Sequence, residues 1–582
     1  MPETVRSPES RAADVVAPFL IRKVPLGDVG YYAKAGLQAD TSVQFSPDSR
    51  LLAIGTLLGD VQVIDVYSGK TLWSKRIAEG MVKQAVFSRD RPDDSPDQSD
   101  RSEVKQAVFS RTGTNNPADP PNQSNPTDSS DLSISSISSI PSIVYYAEQS
   151  PDGFLYAADA RTGNELWKFR LAKDLESSAP PAKGNIWGIY ELPGFYRLVA
   201  TSDGGVVALG VHSWGDWSKA GGMRRLSRVY RFSREGKVLW AFPADKPAAM
   251  TFAYMDADAG GRRVVVLTGE VAGGAPAGYP LRPGSLCCLD GASGRLVGTH
   301  VFEPLKPFFD KVLFWQSVSV SPGGEKAAIG LHDGRAYIFD LDTVNPGEPQ
   351  SSEMTRKQAE ACTLAVSEYR LQPASYPPLA VSEYRLQPAS YPPSLRPNDS
   401  RTRPTLSPDF SFSFGTPVLI SGIPVCANAT YTHIARGGAV YFQTGNSSVP
   451  SGAGEDASRQ PPGPHPNANT ITAVGRDGRA AWRYHSGHQY QNFWTSGDGR
   501  WMITSVQRTR GKAGWDSGVM LFDVARAGGG AAKFVYYYQV EGLSFFRAAI
   551  SGDGAAIAVV EVPCEDPTTK RLRGTYQVHV IR

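Results

Sequence analysis

The chain has 582 residues, with 41% apolar residues and a glycine and proline content (58 and 44) that suits many tight turns and argues against a helical bundle. Sixty Lys and Arg nearly balance 57 Asp and Glu, so no overall field exists to draw a polyanion or an anionic membrane. Nucleic acid and membrane surfaces are therefore excluded as default partners, and no run of residues is long and apolar enough to span a bilayer.

Residues 1–17 read as disordered, and the apolar run within the N-terminal segment MPETVRSPESRAADVVAPFLIRKV is interrupted by Asp14 and Pro18, so it fails as a secretory leader. A cytoplasmic location is expected, or a periplasmic or secreted one if the true start differs. The five cysteines form no even framework, which fits a reducing compartment. Residues 18–26 (PFLIRKVPL) alternate as a strand but have no upstream partner.

The first full unit spans residues 41–77: TSVQF, a turn at SPDS, LLAIGT, a turn at LLGD, VQVIDV, a turn at YSGK, and TLWSKRI. Four short alternating strands joined by Gly, Asp and Ser turns make one propeller blade. The grammar returns along the chain, with a turn and a closing tryptophan at Gly69 and Trp73, Gly163 and Trp167, Gly236 and Trp240, and Gly478 and Trp482. SGRLVG, ending at Gly298, keeps the frame but loses the indole, and is expected to mark the weakest joint.

The second unit opens with VKQAVFSR at 82–89 and resumes at Ile143, across a low-complexity insertion at 90–142 in which VKQAVFSR recurs word for word at 104–111. The third unit is expected to open with WGIYEL, from Trp187, and the fourth contains MDADAGG and SLCCLD. The fifth lacks a fourth strand before a second insertion at 350–410, where LAVSEYRLQPASYPP stands in tandem at 364–378 and 379–393; its first LAVSEYRL is expected to supply that strand. The sixth and seventh are complete. The eighth has three strands, and residues 18–26 are the obvious fourth, closing first onto last so that no sheet edge stays open.

The fold expected is all-β: a single propeller of about eight four-stranded antiparallel blades, or seven if the fifth or sixth unit is incomplete. The D-x-x-[ST]-G-[KN]-x-L-W pattern at Asp65 to Trp73 and Asp159 to Trp167 resembles the repeat of quinoprotein-type (PQQ-like) eight-bladed propellers. The turns at Ser46, Ser150, Ser321, Ser496 and Ser551 look more like those of WD-repeat or YVTN-type propellers. The first resemblance implies a docking contact in which each indole stacks on a turn of the neighbouring blade. It also implies, as an alternative function, a dehydrogenase using pyrroloquinoline quinone with calcium, although the calcium-binding Glu and Asn, the catalytic Asp and the Trp beneath the quinone have no recognisable counterparts.

Local motifs give no chemistry. Cys287 and Cys288 lie inside a strand, where successive side chains face opposite ways, so they read as buried thiols and not as a vicinal disulfide. Asp256 and Asp258 resemble the start of a calcium loop, but Leu267 stands where a bidentate Glu is needed, and a hairpin turn explains them. His485 and His488 have no metal-binding company. Trp187, Trp315, Trp494 and Phe546, with Gln316, Asn492 and Arg547 beside them, are expected near one mouth of the central channel, a composition suited to an interaction hot spot. The expectation is a monomeric, non-enzymatic scaffold that binds a protein or peptide on one face of the ring.

Overall fold

A computed structural model describes residues 20–29, 41–77, 80–89, 143–180, 186–215, 223–269, 281–315, 317–342, 405–448, 463–475, 477–485, 489–507, 517–524, 533–544, 548–566 and 569–582. Blade 1 consists of Ser42–Phe45, Leu51–Gly55, Asp60–Asp65 and Thr71–Arg76, paired antiparallel in that order. Blade 2 consists of Met81–Phe87, Ile143–Gln149, Phe154–Asp159 and Glu165–Arg170, and blade 3 of Gly194–Ala200, Val206–Gly215, Met223–Phe232 and Val238–Phe242. Blade 4 is Phe252–Ala257, Arg263–Thr268, Ser285–Asp290 and Leu296–Val301; blade 5 is Val318–Val320, Lys326–Gly330, Arg335–Asp340 and Phe410–Ser413. Blade 6 is Ala429–Ile434, Val440–Thr444, Thr470–Val474 and Ala480–His485; blade 7 is Gln489–Thr495, Trp501–Gln507, Ser517–Asp523 and Lys533–Val540.

Blade 8 is Ala548–Ile550, Ile557–Glu561, Gln577–Ile581 and, as its outermost strand, Leu20–Pro25. Lys23 stands opposite His579 and Val24 opposite Val578, so the N-terminal strand closes the ring and leaves the last blade no bare edge. The chain is an eight-bladed β-propeller. Its core is a set of apolar clusters between adjacent blades, of which the one joining blades 8 and 1 runs from Val24 through Leu52 to Val580.

Polar turns set the strand ends. Ser46 Oγ accepts the Leu51 N–H at 2.9 Å, and the same bond recurs from Lys326 to Ser321 (3.0 Å), Trp501 to Ser496 (3.0 Å) and Ala556 to Ser551 (2.8 Å). Each serine satisfies a backbone donor that the tight turn would otherwise strand.

Three sequence expectations need correction. WGIYEL forms a 3-10 helix, Ile186–Glu191, and the innermost strand of blade 3 is Gly194–Ala200 instead. Pro193 breaks the run after the helix, and the alternating GFYRLVA beyond it pairs with Val206–Gly215. The fourth strand of blade 5 is Phe410–Ser413, not LAVSEYRL; its short F-S-F-S alternation pairs with Arg335–Asp340 from Arg335↔Ser413 to Ile338↔Phe410. Residues 405–410 therefore belong to the ring and not to the second insertion. Residues 1–17, 90–142, 364–378 and 379–393 lie outside the described residues. Among those that are described, no helix is long and apolar enough to cross a membrane.

Candidate functional site

The recurring motif is a clasp between blades. In residues 159–167, Asp159 Oδ1 accepts the N–H and the hydroxyl of Thr162 at 2.8 and 2.9 Å, and the Gly163 N–H bonds back to the Asp159 carbonyl at 2.8 Å. These bonds bring Gly163 to a φ of +71°, where a Cβ would be strained. They also leave bare backbone for the indole of Trp73 from blade 1: a Cβ at Gly163 would lie 2.6 Å from that ring. The Trp73 Nε1–H donates to the Ala160 carbonyl at 2.9 Å, so ring and donor are both satisfied by the next blade. Trp167 repeats this on Gly236, with a bond to the Arg234 carbonyl at 2.8 Å, and Trp240 on Gly294, with one to the Gly291 carbonyl at 2.8 Å.

Elsewhere other side chains take the indole's place. Gly69 carries the Arg22 side chain from the closing strand, and Gly478 carries the Phe410 ring from blade 5. Trp482 is buried among Phe522 and Val524 of blade 7. Gly298 stands opposite Cys288 in the register position that Trp167 holds opposite Ala157. Leu406 fills its space, with Cγ 2.7 Å from where a Cβ would lie. The backbone fixes Leu406 there, because its N–H donates to the Thr299 carbonyl at 2.7 Å and its carbonyl accepts from His300 Nδ1 at 2.9 Å. The joint expected to be weakest thus has its own wedge.

Blades 7 and 8 add a polar bridge to the apolar cluster between them. The His579 ring nitrogens bond to the Tyr538 hydroxyl at 2.8 Å and to Glu561 Oε2 at 2.7 Å. Burial would raise the Glu561 pKa, but hydrogen bonds from His579, Gln577 and the Gly542 N–H hold it at about 2. An ionised Glu561 only accepts, so Nε2 carries the proton.

The innermost strands of all eight blades surround a central channel of about 670 Å³. Asn492 and Trp494 both line it, and Asn492 adopts a φ of +59° within a bulged stretch of its strand. Trp315 lies outside the channel, in the segment between blades 4 and 5; it is 49% exposed and donates to the Tyr431 hydroxyl at 3.4 Å. Trp187 belongs to the 3-10 helix and not to an inner strand, and Gln316, Phe546 and Arg547 lie outside the described residues. The expected aromatic cluster thus divides between the channel wall and one face.

Polar channel residues that sequence reasoning passed over come from the same alternation. Arg197, Asp256 and His433 each interrupt an otherwise apolar or neutral inner strand, which is the signal that could have exposed them. Arg197 Nη2 donates to Asp256 Oδ1 at 2.8 Å and its guanidinium lies 5.5 Å from the Tyr254 ring centre. Asp256 Oδ2 accepts the Val320 N–H at 2.9 Å. Asp258, its neighbour, accepts the Arg263 N–H at 2.6 Å and shapes the hairpin expected of it. His433 Nε2 meets the Thr495 hydroxyl at 2.9 Å; removal from water pushes its pKa down to about 4, against the pull of Asp256.

No family model and no curated protein sequence matches the chain. Solved structures align over nearly its whole length at low identity. The C-terminal WD40 domain of Sif2 aligns over 97% of this chain and 98% of its own, with 8% identity and a TM-score of 0.49. Sqt1 of Saccharomyces cerevisiae aligns over 93% and 94% with 7% identity and a TM-score of 0.43, and BamB of Moraxella catarrhalis over 97% and 99% with 12% and 0.43.

The channel does not fit a quinone held with calcium. A hard dication takes six to eight oxygen ligands, whereas Asp256, the one carboxylate in the described channel wall, has both oxygens engaged by Arg197 and the Val320 N–H. Cys287 and Cys288 alternate along Ser285–Asp290, both buried, and burial pushes the Cys288 thiol up to about 12.

The connector face above blades 5 and 6 carries an added layer. Val418–Ile420 and Ile423–Cys426 form a hairpin through Ser421 and Gly422, whose φ values of +51° and +78° match a tight two-residue turn. Cys426 Sγ reaches the His332 carbonyl at 3.3 Å, and the His332 N–H bonds to the Leu313 carbonyl at 3.0 Å, tying the hairpin to the segment that carries Trp315. At the hairpin's outer edge Leu419 is 71% exposed.

Proposed function

We propose that the ring is a non-enzymatic scaffold that binds a protein or peptide on its connector face above blades 5 and 6. The observation that carries this reading is Trp315: a large indole, 49% exposed, held by a hydrogen bond to Tyr431. Folding alone would gain from burying it. An aromatic anchor already fixed in place loses little freedom on binding, which is the property of an interface hot spot. Leu419, on a hairpin locked by its turn and by pairing to Ser447–Ser448, adds exposed apolar surface on the same face.

The test is affinity purification of the full chain beside a Trp315→Ala, Leu419→Asp double variant. A protein that co-purifies with the wild type and is lost from a variant with the same melting temperature supports this face. An identical co-purifying set, or a change explained by self-association in light scattering, overturns it.

A further inference from the structure

Arginines outnumber carboxylates among the described residues of the channel wall. Among the described lining residues, Arg89, Arg197 and Arg436 face a single carboxylate, Asp256, and His433 is neutral at physiological pH. Asp256 is already committed to Arg197 and to the Val320 N–H. Arg436 has a backbone acceptor, the Gly497 carbonyl at 3.3 Å. Arg89 makes no hydrogen bond or ion pair among the described residues and projects from the end of the blade 2 inner strand into the channel. The Arg197 guanidinium keeps 28% of its side chain open to the same space, and its Nε is buried without a partner.

An arginine beside a second arginine, ringed by protein and short of counter-charge, is an unfavourable arrangement that an anion relieves. Arg89 shows that tension, since burial by the surrounding walls and the charge of Arg197 lower its pKa even against the opposing pull of Asp256 and Asp258. Arg89 is exposed and lines the channel. The cavity volume lies within the roughly 300–1,000 Å³ common for small-molecule sites. Tyr254 and Trp494 provide aromatic wall beside the charge.

We propose that the channel binds a small organic anion whose carboxylate or phosphate group bridges Arg89 and Arg197 and whose apolar body lies along Tyr254 and Trp494. Guanidinium groups favour such oxyanions because their planar donors match the acceptor geometry. Asp256 sets which edge of Arg197 remains available, and Tyr254 holds that guanidinium's plane. This site is independent of the partner face, and either can fail alone.

The test is titration calorimetry of the full chain with benzoate, phenyl phosphate and the neutral analogue benzamide. Arg89→Gln is made together with Arg111→Gln, because Arg111 ends the second copy of VKQAVFSR and could otherwise replace Arg89. Arg197→Gln is the second variant. Since Arg89 has no partner to lose within the described fold, its variant remains informative if Arg197→Gln fails to fold. The expected result is saturable binding of at least one anion, none of benzamide, and a loss of roughly 10- to 100-fold in the folded variants. Binding of phenyl phosphate alone assigns a phosphate head, and of benzoate alone a carboxylate. No anion binding, equal binding of benzamide, or anion affinity unchanged by the Arg89 variant overturns the proposal.

Discussion

The joint between blades 2 and 3 and the joint between blades 4 and 5 solve one packing problem with different material. At the first, Trp167 covers Gly236 and bonds to the Arg234 carbonyl, and its own repeat unit encodes the indole. At the second, the corresponding position is Gly298, and the space is filled by Leu406, which reaches the same strand from about a hundred residues away, as the 106-residue span of the His300–Leu406 bond shows. What the ring needs at each joint is a snug apolar or long side chain against the neighbouring blade. The indole is the local way to supply it. Phe410 on Gly478, Arg22 on Gly69 and the Tyr538–His579–Glu561 bridge are others.

The largest effect is expected at an indole clasp. Trp73→Ala removes a side chain only 9% exposed together with its bond to the Ala160 carbonyl, and should cost about 3–5 kcal/mol in urea unfolding. A loss below about 1 kcal/mol would mean that the motif is not what holds adjacent blades.

Acid should single out the polar joint next. Glu561 has a folded pKa of about 2 against an ordinary 4.5, so its contribution is complete above the unfolded value and is lost as pH falls from about 4.5 toward 2. At one pKa unit per 1.36 kcal/mol this amounts to roughly 3 kcal/mol. Melting temperature followed against pH should fall over that window, and Glu561→Gln should flatten this part of the fall; an unchanged acid limb would remove the bridge from the account.

Leu406→Ala should cost about 2–4 kcal/mol, because the residue is 4% exposed and packs between Val297 of blade 4 and Phe339 of blade 5. A cost near zero in the same urea assay would leave the 4–5 joint unsupported and make it different in kind from the 2–3 joint. Arg22→Ala gives the smallest change, under about 1 kcal/mol by the same measurement, since the residue is exposed and covers Gly69 with its guanidinium and Cδ rather than with a buried apolar side chain. A larger loss would show that the ring closure depends on that one latch.

Much of the ring was legible because blade strands and turns are local. The alternation of LLAIG and VQVID, the serine turns and the unpaired LIRKVP lead to eight blades and their closure, and the D-x-x-[ST]-G turn carries its own hydrogen bonds. Misreadings arise where the deciding contact is not local. WGIYEL has strand-like residues, yet Pro193 and the pairing partner beyond it make Gly194–Ala200 the strand. LAVSEYRL has better strand composition than FSFS, but Phe410 has Gly478 of the next blade to cover. Leu406 gives no sign in sequence that it replaces an indole at Gly298. The channel charges were hidden for a related reason: Arg197 and Asp256 are ordinary single interruptions until strands from blades 3 and 4 are set side by side around one axis.

The claim that Leu406 is the missing clasp is tested most directly by a double-mutant cycle in urea unfolding with Gly298→Ala, Leu406→Ala and both together. A Cβ at position 298 would lie 2.7 Å from Leu406 Cγ, so Gly298→Ala should destabilise the wild type by about 1–3 kcal/mol and do little, or restore packing, once residue 406 is alanine. Strictly additive effects would show that the two positions do not touch, and that the joint between blades 4 and 5 is held by something else.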